Sequence, residues 1–167
     1  MKTLLICVGA ICFVAVVIIG GFSALFICGF APTKVISDSP QTYKEAKKHI
    51  PIHLPETATA IQYASYGEWQ IYEGFIKFQA PVNDCIANAR FVIEENQKRL
   101  PQRKSDLDQE FRPIVKSFSP TSNYLGTLPW FDVDKISKGI AIGADGDSQP
   151  HIWIDTEKGI FYYHIWH

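Results

Sequence analysis

Charge is nearly missing from the first 31 residues, where Lys2 is the one charged side chain. The rest of the 167-residue chain carries 15 Lys and Arg against 17 Asp and Glu. A balance that close to neutral offers no basic face to displace counterions, which excludes nucleic acid as an expected partner. Cysteine is scarce where it would matter. Cys7, Cys12 and Cys28 lie in the apolar N-terminal stretch, and Cys85 stands alone beyond it. No disulfide can therefore form within the later part, and a core must hold it together. Cys85 reads as a small buried hydrophobe rather than a nucleophile. Motifs for catalysis or cofactors are also lacking: the chain contains no HExxH, GxSxG, CxxC, GxGxxG or phosphate-binding loop. No cofactor is expected.

What is present at the start is LLICVGAICFVAVVIIGGFSALFICGF, residues 4–30. As a helix, these 27 residues would reach roughly 40 Å, more than the roughly 30 Å hydrocarbon layer. A cleaved signal has a shorter apolar region, about 7–15 residues. The best cleavage site, Gly29-Phe30-Ala31, is followed by Pro32, and Ile precedes each cysteine that lipoprotein processing could modify. The segment 1–31 is accordingly expected to stay as a transmembrane signal anchor in contact with the lipid bilayer. The domain would lie on the extracytoplasmic, periplasmic side. Gly20, Ala24 and Cys28 recur every four residues and would form a ridge where a second membrane helix could pack.

Residues 32–60 read as a linker, because Pro32, Pro40, Pro51 and Pro55 each disfavour helix in the residue before. A short helix fits Thr42–Lys48. Lys34, Lys44, Lys47 and Lys48 make a solvated basic flank, and His49 and His53 flank Pro51 in an extended run.

Ile61–Tyr66 and Trp69–Gln79 are rich in β-branched and aromatic residues, with Tyr66-Gly67-Glu68 as the expected turn. The apolar phase shifts within the second run, from Trp69 and Ile71 to Ile76 and Phe78. Gly74 is the natural place for a bulge that absorbs the shift. After Pro81, Asn83 or Asp84 could cap a helix whose stripe Cys85, Ile86, Ala89, Val92 and Ile93 recurs at helical spacing. Arg90, Glu94, Glu95 and Lys98 fall on the other side, and Pro101 ends it. Pro113–Phe118 and Ile140–Gly143 suit short strands, and Asp132 could cap a short helix through Lys138. Asp145-Gly146-Asp147-Ser148-Gln149 begins like a calcium loop. Pro150 then occupies the sixth position and Thr156 the twelfth, so a turn is the better account.

The clearest local signal is HIWIDTEKGIFYYHIWH, residues 151–167. Two alternating runs surround Thr156-Glu157-Lys158-Gly159, which fits a four-residue hairpin loop with glycine last at positive φ. Pairing Asp155 with Ile160 gathers Ile152, Ile154, Phe161, Tyr163 and Ile165 on one face. The other face gathers His151, Trp153, Asp155, Tyr162, His164 and Trp166. Trp153, Tyr162 and Trp166 are the candidate contact surface for a protein partner. His151 and His164 would stand opposite each other as two candidate metal ligands, with Asp155 on the same face.

The runs LPETATAI (54–61), IKFQAP (76–81), WFDVDKI (130–136) and HIWIDTEKGIFYY (151–163) resemble a loose set of bacterial proteins. These carry one membrane or lipid anchor and then a small α+β domain beginning Leu-Pro-x-x-Ala. The resemblance implies an exported, tethered domain and transfers no catalytic residue. This chain lacks the lipidated cysteine found in some of them.

The expected architecture is thus α+β. The membrane anchor at 1–31 and linker at 32–60 lead to one domain, 61–167, with an antiparallel sheet, one main helix and a C-terminal hairpin. The expected role is a tethered binding or scaffold domain. The alternatives are an inhibitor or immunity-type protein against a toxin and, last, a metal-dependent hydrolase using His151 and His164.

Overall fold

In the computed structural model, residues 32–37, 39–99, 110–114, 120–143 and 150–166 are described. The apolar run 4–30, with Gly20, Ala24 and Cys28, lies outside them, as does the expected turn at 145–149. Among the described residues no helix is long and apolar enough to cross a membrane. The chain divides into two units, Met1–Pro32 and Thr33–His167, and all the described strands belong to the second.

In chain order the elements of this second unit are β1 (Thr33–Ile36), α1 (Tyr43–Ala46), β2 (Thr59–Glu68), β3 (Ile71–Gln79) and α2 (Val82–Arg99). Then come β4 (Arg112–Pro113), β5 (Gly139–Ile142), β6 (His151–Asp155) and β7 (Ile160–Trp166). The seven strands form one antiparallel sheet in the order β1-β2-β3-β7-β6-β5-β4. The class is α+β, with α2 as the main helix.

Residues 32–60, expected as a linker, belong largely to the domain. β1 pairs with β2, Thr33 opposite Gly67 through Ile36 opposite Ala64. Thr42 and Glu45 close a capping box at the start of α1, which accounts for the short helix. Ala46, Ile50, Leu54 and Ala58 are all buried. Their four-residue spacing cannot be one helix, because Pro51 and Pro55 interrupt it; irregular backbone carries them into the core instead.

The sheet is covered on both faces, and this resolves the phase shift in β3. One face packs Ile61, Tyr63, Ile76, Phe78, Ile152, Ile154, Phe161 and Tyr163 against Cys85, Ala89, Val92 and Ile93 of α2. The opposite face packs Ala64, Phe75 and Tyr162 under Leu125, Phe131 and Val133. Phe131 meets Phe75 and Tyr162 edge-on, with ring centroids 5.0 and 5.4 Å apart. Apolar residues of both parities are therefore needed in β3, and no bulge is. Gly74 pairs regularly with Ser65 and Ile165, and the register shift falls between Thr59 and Gln62. The β2–β3 turn is at Trp69-Gln70 rather than Tyr66–Glu68, since Glu68 pairs with Ile71 and Tyr66 stacks on Tyr124 at 4.4 Å.

α2 begins at Val82, directly after Pro81, so Asn83 and Asp84 sit inside its first turn instead of capping it. Asp84 accepts from the Thr57 hydroxyl at 2.7 Å. Asp132 does precede a single 3-10 turn, Val133–Lys135, but its side chain makes no capping bond. It is drawn to Lys77 (2.6 Å) and the Tyr162 hydroxyl (3.0 Å) instead. The terminal hairpin has the expected register, with His151 opposite His164, Trp153 opposite Tyr162 and Asp155 opposite Ile160. Gly159 closes its loop at φ 63°.

Candidate functional site

The polar face of the hairpin is partly covered: Asp155 and Tyr162 are buried, His151, Trp153 and His164 are half-buried, and Trp166 is exposed. Tyr162 is 2 % exposed, and Trp153 packs against Phe131 with centroids 6.2 Å apart. Of the three aromatics expected to make a contact surface, Trp166 alone is exposed. The segment 120–136 covers the other two because Leu125, Phe131 and Val133 need the same apolar partners.

On this face the histidines have defined work. His164 Nε2 lies 3.2 Å from Glu73 Oε1, and its ring stacks on Phe75 at 4.3 Å. Glu73 accepts a short hydrogen bond from Ser122 on its other oxygen. The Ser122 oxygen in turn accepts from the backbone N–H of Leu125 (2.8 Å) and Tyr124 (3.1 Å). Burial lowers the pKa of His164; the bond to Glu73 opposes that, and His151 adds to the lowering. The two rings sit 6.3 Å apart. Asp155 is buried and accepts from the N–H groups of Glu157 and Lys158 in its own turn. Among the described residues no three His, Cys, Asp or Glu side chains are placed to hold a metal, so the two candidate ligands His151 and His164 gain no third partner there. Glu73 stands between Ser122 and His164, whereas activating a serine hydroxyl needs the imidazole in the middle. Cys85 is buried, and burial pushes its thiol up to about 12.

The open concavity is on the other face. It lies between the second half of α2, the segment 51–53 and strands β3 and β7, with a volume of about 550 Å³. Ile52, Phe91, Val92, Tyr163 and Ile165 supply apolar surface; His53, Tyr72, Glu95 and Asn96 supply polar groups. Among the described residues no lysine or arginine lines it. The fold explains each contribution. Val92 belongs to the core stripe of α2, and Phe91 beside it is turned outward and remains 43 % exposed. Tyr72 lies across Gly74, where a Cβ would stand 3.0 Å from the phenol oxygen, so the glycine makes room for the ring. Burial raises the Tyr72 phenol pKa. His53 is set by Asn88, Nδ1 to Oδ1 2.9 Å, and by the Phe91 ring at 4.8 Å. Asn88 Nδ2 is buried without a hydrogen-bond partner, directly behind this wall of the cleft.

None of these cleft residues was a candidate from sequence. The one available signal was Phe91, an aromatic beside Arg90 on the polar flank of α2. Comparison with protein-family models, curated proteins and solved structures yields no match.

Proposed function

We propose that the chain is a membrane-tethered binding domain that takes a small amphipathic ligand in the α2 cleft. Residues 4–30 hold it at the bilayer as a single helix, with the domain on the extracytoplasmic side. Their length and lack of charge support this. The short motifs shared with anchored bacterial domains point the same way.

The observation that carries the binding reading is the cleft itself. At about 550 Å³, apolar and aromatic with a few polar groups, it has the size and make-up of a small-molecule site. Its one carboxylate is Glu95, which pairs with the solvent-facing Lys98 at 2.7 Å. Aromatic faces beside a carboxylate favour a ligand with an apolar body and a neutral or cationic head. A phosphate or carboxylate head would meet the Glu95 carboxylate, whose paired ammonium, Lys98, faces solvent rather than the cleft.

The test is calorimetric titration of the full-length chain in lipid nanodiscs with naphthylmethylammonium and, separately, naphthoate. The cation is expected to bind at least tenfold tighter than the anion. Phe91→Asn should weaken it about fivefold, because a half-exposed ring contributes on the order of 1 kcal/mol. Equal binding of the two probes, or indifference to Phe91→Asn, would remove the cleft from the reading.

A further inference from the structure

The sheet has two edge strands, and they are finished differently. β4 is two residues long and one of them is Pro113, which has no N–H to offer a neighbour. β1 has four exposed residues and no proline among them. Its register shows which backbone groups are already used. Ser37 N–H donates to Tyr63 O at 2.9 Å, and Val35–Ser65 and Thr33–Gly67 continue the same register. Hydrogen-bonded pairs alternate along an antiparallel ladder, so Thr33, Val35 and Ser37 aim their N–H and C=O at β2. Lys34 and Ile36 aim theirs outward. Edges of this kind are commonly guarded by a charge. The only charge on β1 is Lys34, and its ammonium is drawn to Tyr124 O, 3.3 Å away. Val35 and Ile36 are both exposed.

We propose that β1 pairs antiparallel with β1 of a second copy of this chain, about a two-fold axis at Val35. Lys34 then lies opposite Ile36 of the partner subunit, and each such pair exchanges two N–H···O bonds. Val35 faces its own counterpart in the intervening pair, with Cα atoms about 4.5 Å apart. The pairing is self-complementary: each Lys34 meets an isoleucine, so no like charges oppose. Pro32, next in the outward-facing series, has no N–H and ends the ladder. A four-residue contact is too short to hold two free domains together. Chains confined to one bilayer meet at high effective concentration, and β1 begins just after the apolar run, so this part rests on the tethering reading.

The experiment uses the full-length chain in membranes, with Cys7, Cys12 and Cys28 replaced by alanine and buried Cys85 kept. Single cysteines are placed at 33, 34, 35 and 36, and a mild oxidant is added. V35C is expected to give the most disulfide-linked dimer, at least fivefold more than K34C or I36C, because its counterpart is within disulfide range. Adding Ile36→Pro to V35C removes an outward N–H that β2 does not use, and should cut the dimer at least fivefold. Lys34→Pro does the same from the other end and serves if Ile36→Pro fails to fold. Equal cross-linking at all four positions, or a V35C dimer indifferent to both prolines, overturns the pairing. Alkaline extraction of the same membranes tests the tether separately. Release of the chain overturns the tether and the pairing that relies on it, whereas a retained chain without the V35C excess overturns the edge pairing alone.

Discussion

Gly159 and Gly126 both hold positive φ, 63° and 74°, yet their surroundings differ. A Cβ on Gly159 would stand 2.3 Å from the backbone oxygen of Ala80, while nothing lies within 4 Å of one on Gly126. Alanine at either site costs about 1–2 kcal/mol for the left-handed conformation. It recovers about 0.4–1 kcal/mol by restricting the unfolded chain. Gly126→Ala should therefore lose roughly 0.5–1 kcal/mol. Gly159→Ala must also push the hairpin loop away from the start of α2. That displacement strains packed backbone, at about 1–3 kcal/mol. It also weakens the bond from Ala80 N–H to Gly159 O, 2.9 Å long and worth about 1 kcal/mol. The expected total is roughly 3–4 kcal/mol, or a melting point lower by about 10–15 °C for a domain of this size. Urea and thermal unfolding of both variants in detergent, followed by circular dichroism, would measure the gap. Losses equal within about 0.5 kcal/mol would mean that Ala80 does not crowd the hairpin loop, and the docking of α2 on the hairpin would have to be redrawn.

Two further predictions concern the polar layer around Tyr162 and His164. Asp132→Ala strips the acceptor from the buried Tyr162 hydroxyl and from Lys77, which keeps its bond to Trp130 O at 2.8 Å. The expected loss is about 3 kcal/mol in urea unfolding at pH 7, and a loss below about 1 kcal/mol would refute the role given to this pair. Burial opposes ionisation of Asp132, but the hydrogen bond and charge of Lys77 outweigh it and hold the carboxyl below its usual 3.8. Its contribution is thus complete above about pH 4 and fades as pH falls further, and the acid limb should flatten in the variant. For His164 the folded state resists the proton that the unfolded imidazole accepts near its usual 6.5. The unfolded state then binds more protons below that pH, so stability should drop from pH 7 toward pH 5. His164→Gln should flatten that drop in denaturant midpoints, and an unchanged slope would assign it to other groups.

What was legible in the sequence was local. The hairpin register followed from alternation plus one glycine, because slipping it by a residue mixes both faces. The stripe of α2 followed from its 3.6-residue spacing. What was not legible depended on distant partners. Residues 120–136 carry no strong period, yet Leu125, Phe131 and Val133 pack over Ala64, Phe75 and Tyr162 of the sheet. Without that cover Tyr162 and Trp153 read as exposed, and Gly74 reads as a bulge. Thr42 to Glu45 was a sound capping box inside what read as linker, since prolines argue against helices but say little about burial. Asp132 could be read only as a local cap; its partner Lys77 is 55 residues away.

Covering both faces also decides where this domain can meet anything else. A sheet open on one side would offer its aromatic residues broadly. Here 120–136 packs on one face and α2 on the other. The cleft and the β1 edge stay open for separate reasons. The cleft lies where α2, the segment 51–53, β3 and β7 meet, with Phe91 and Tyr72 among its lining. The β1 edge exists because antiparallel order must end somewhere, and this end lacks the proline that finishes the other. The cleft is concave and depends on side chains; the edge is linear and depends on backbone. A substitution such as Phe91→Asn can therefore weaken the first and leave the second intact, and Ile36→Pro does the reverse.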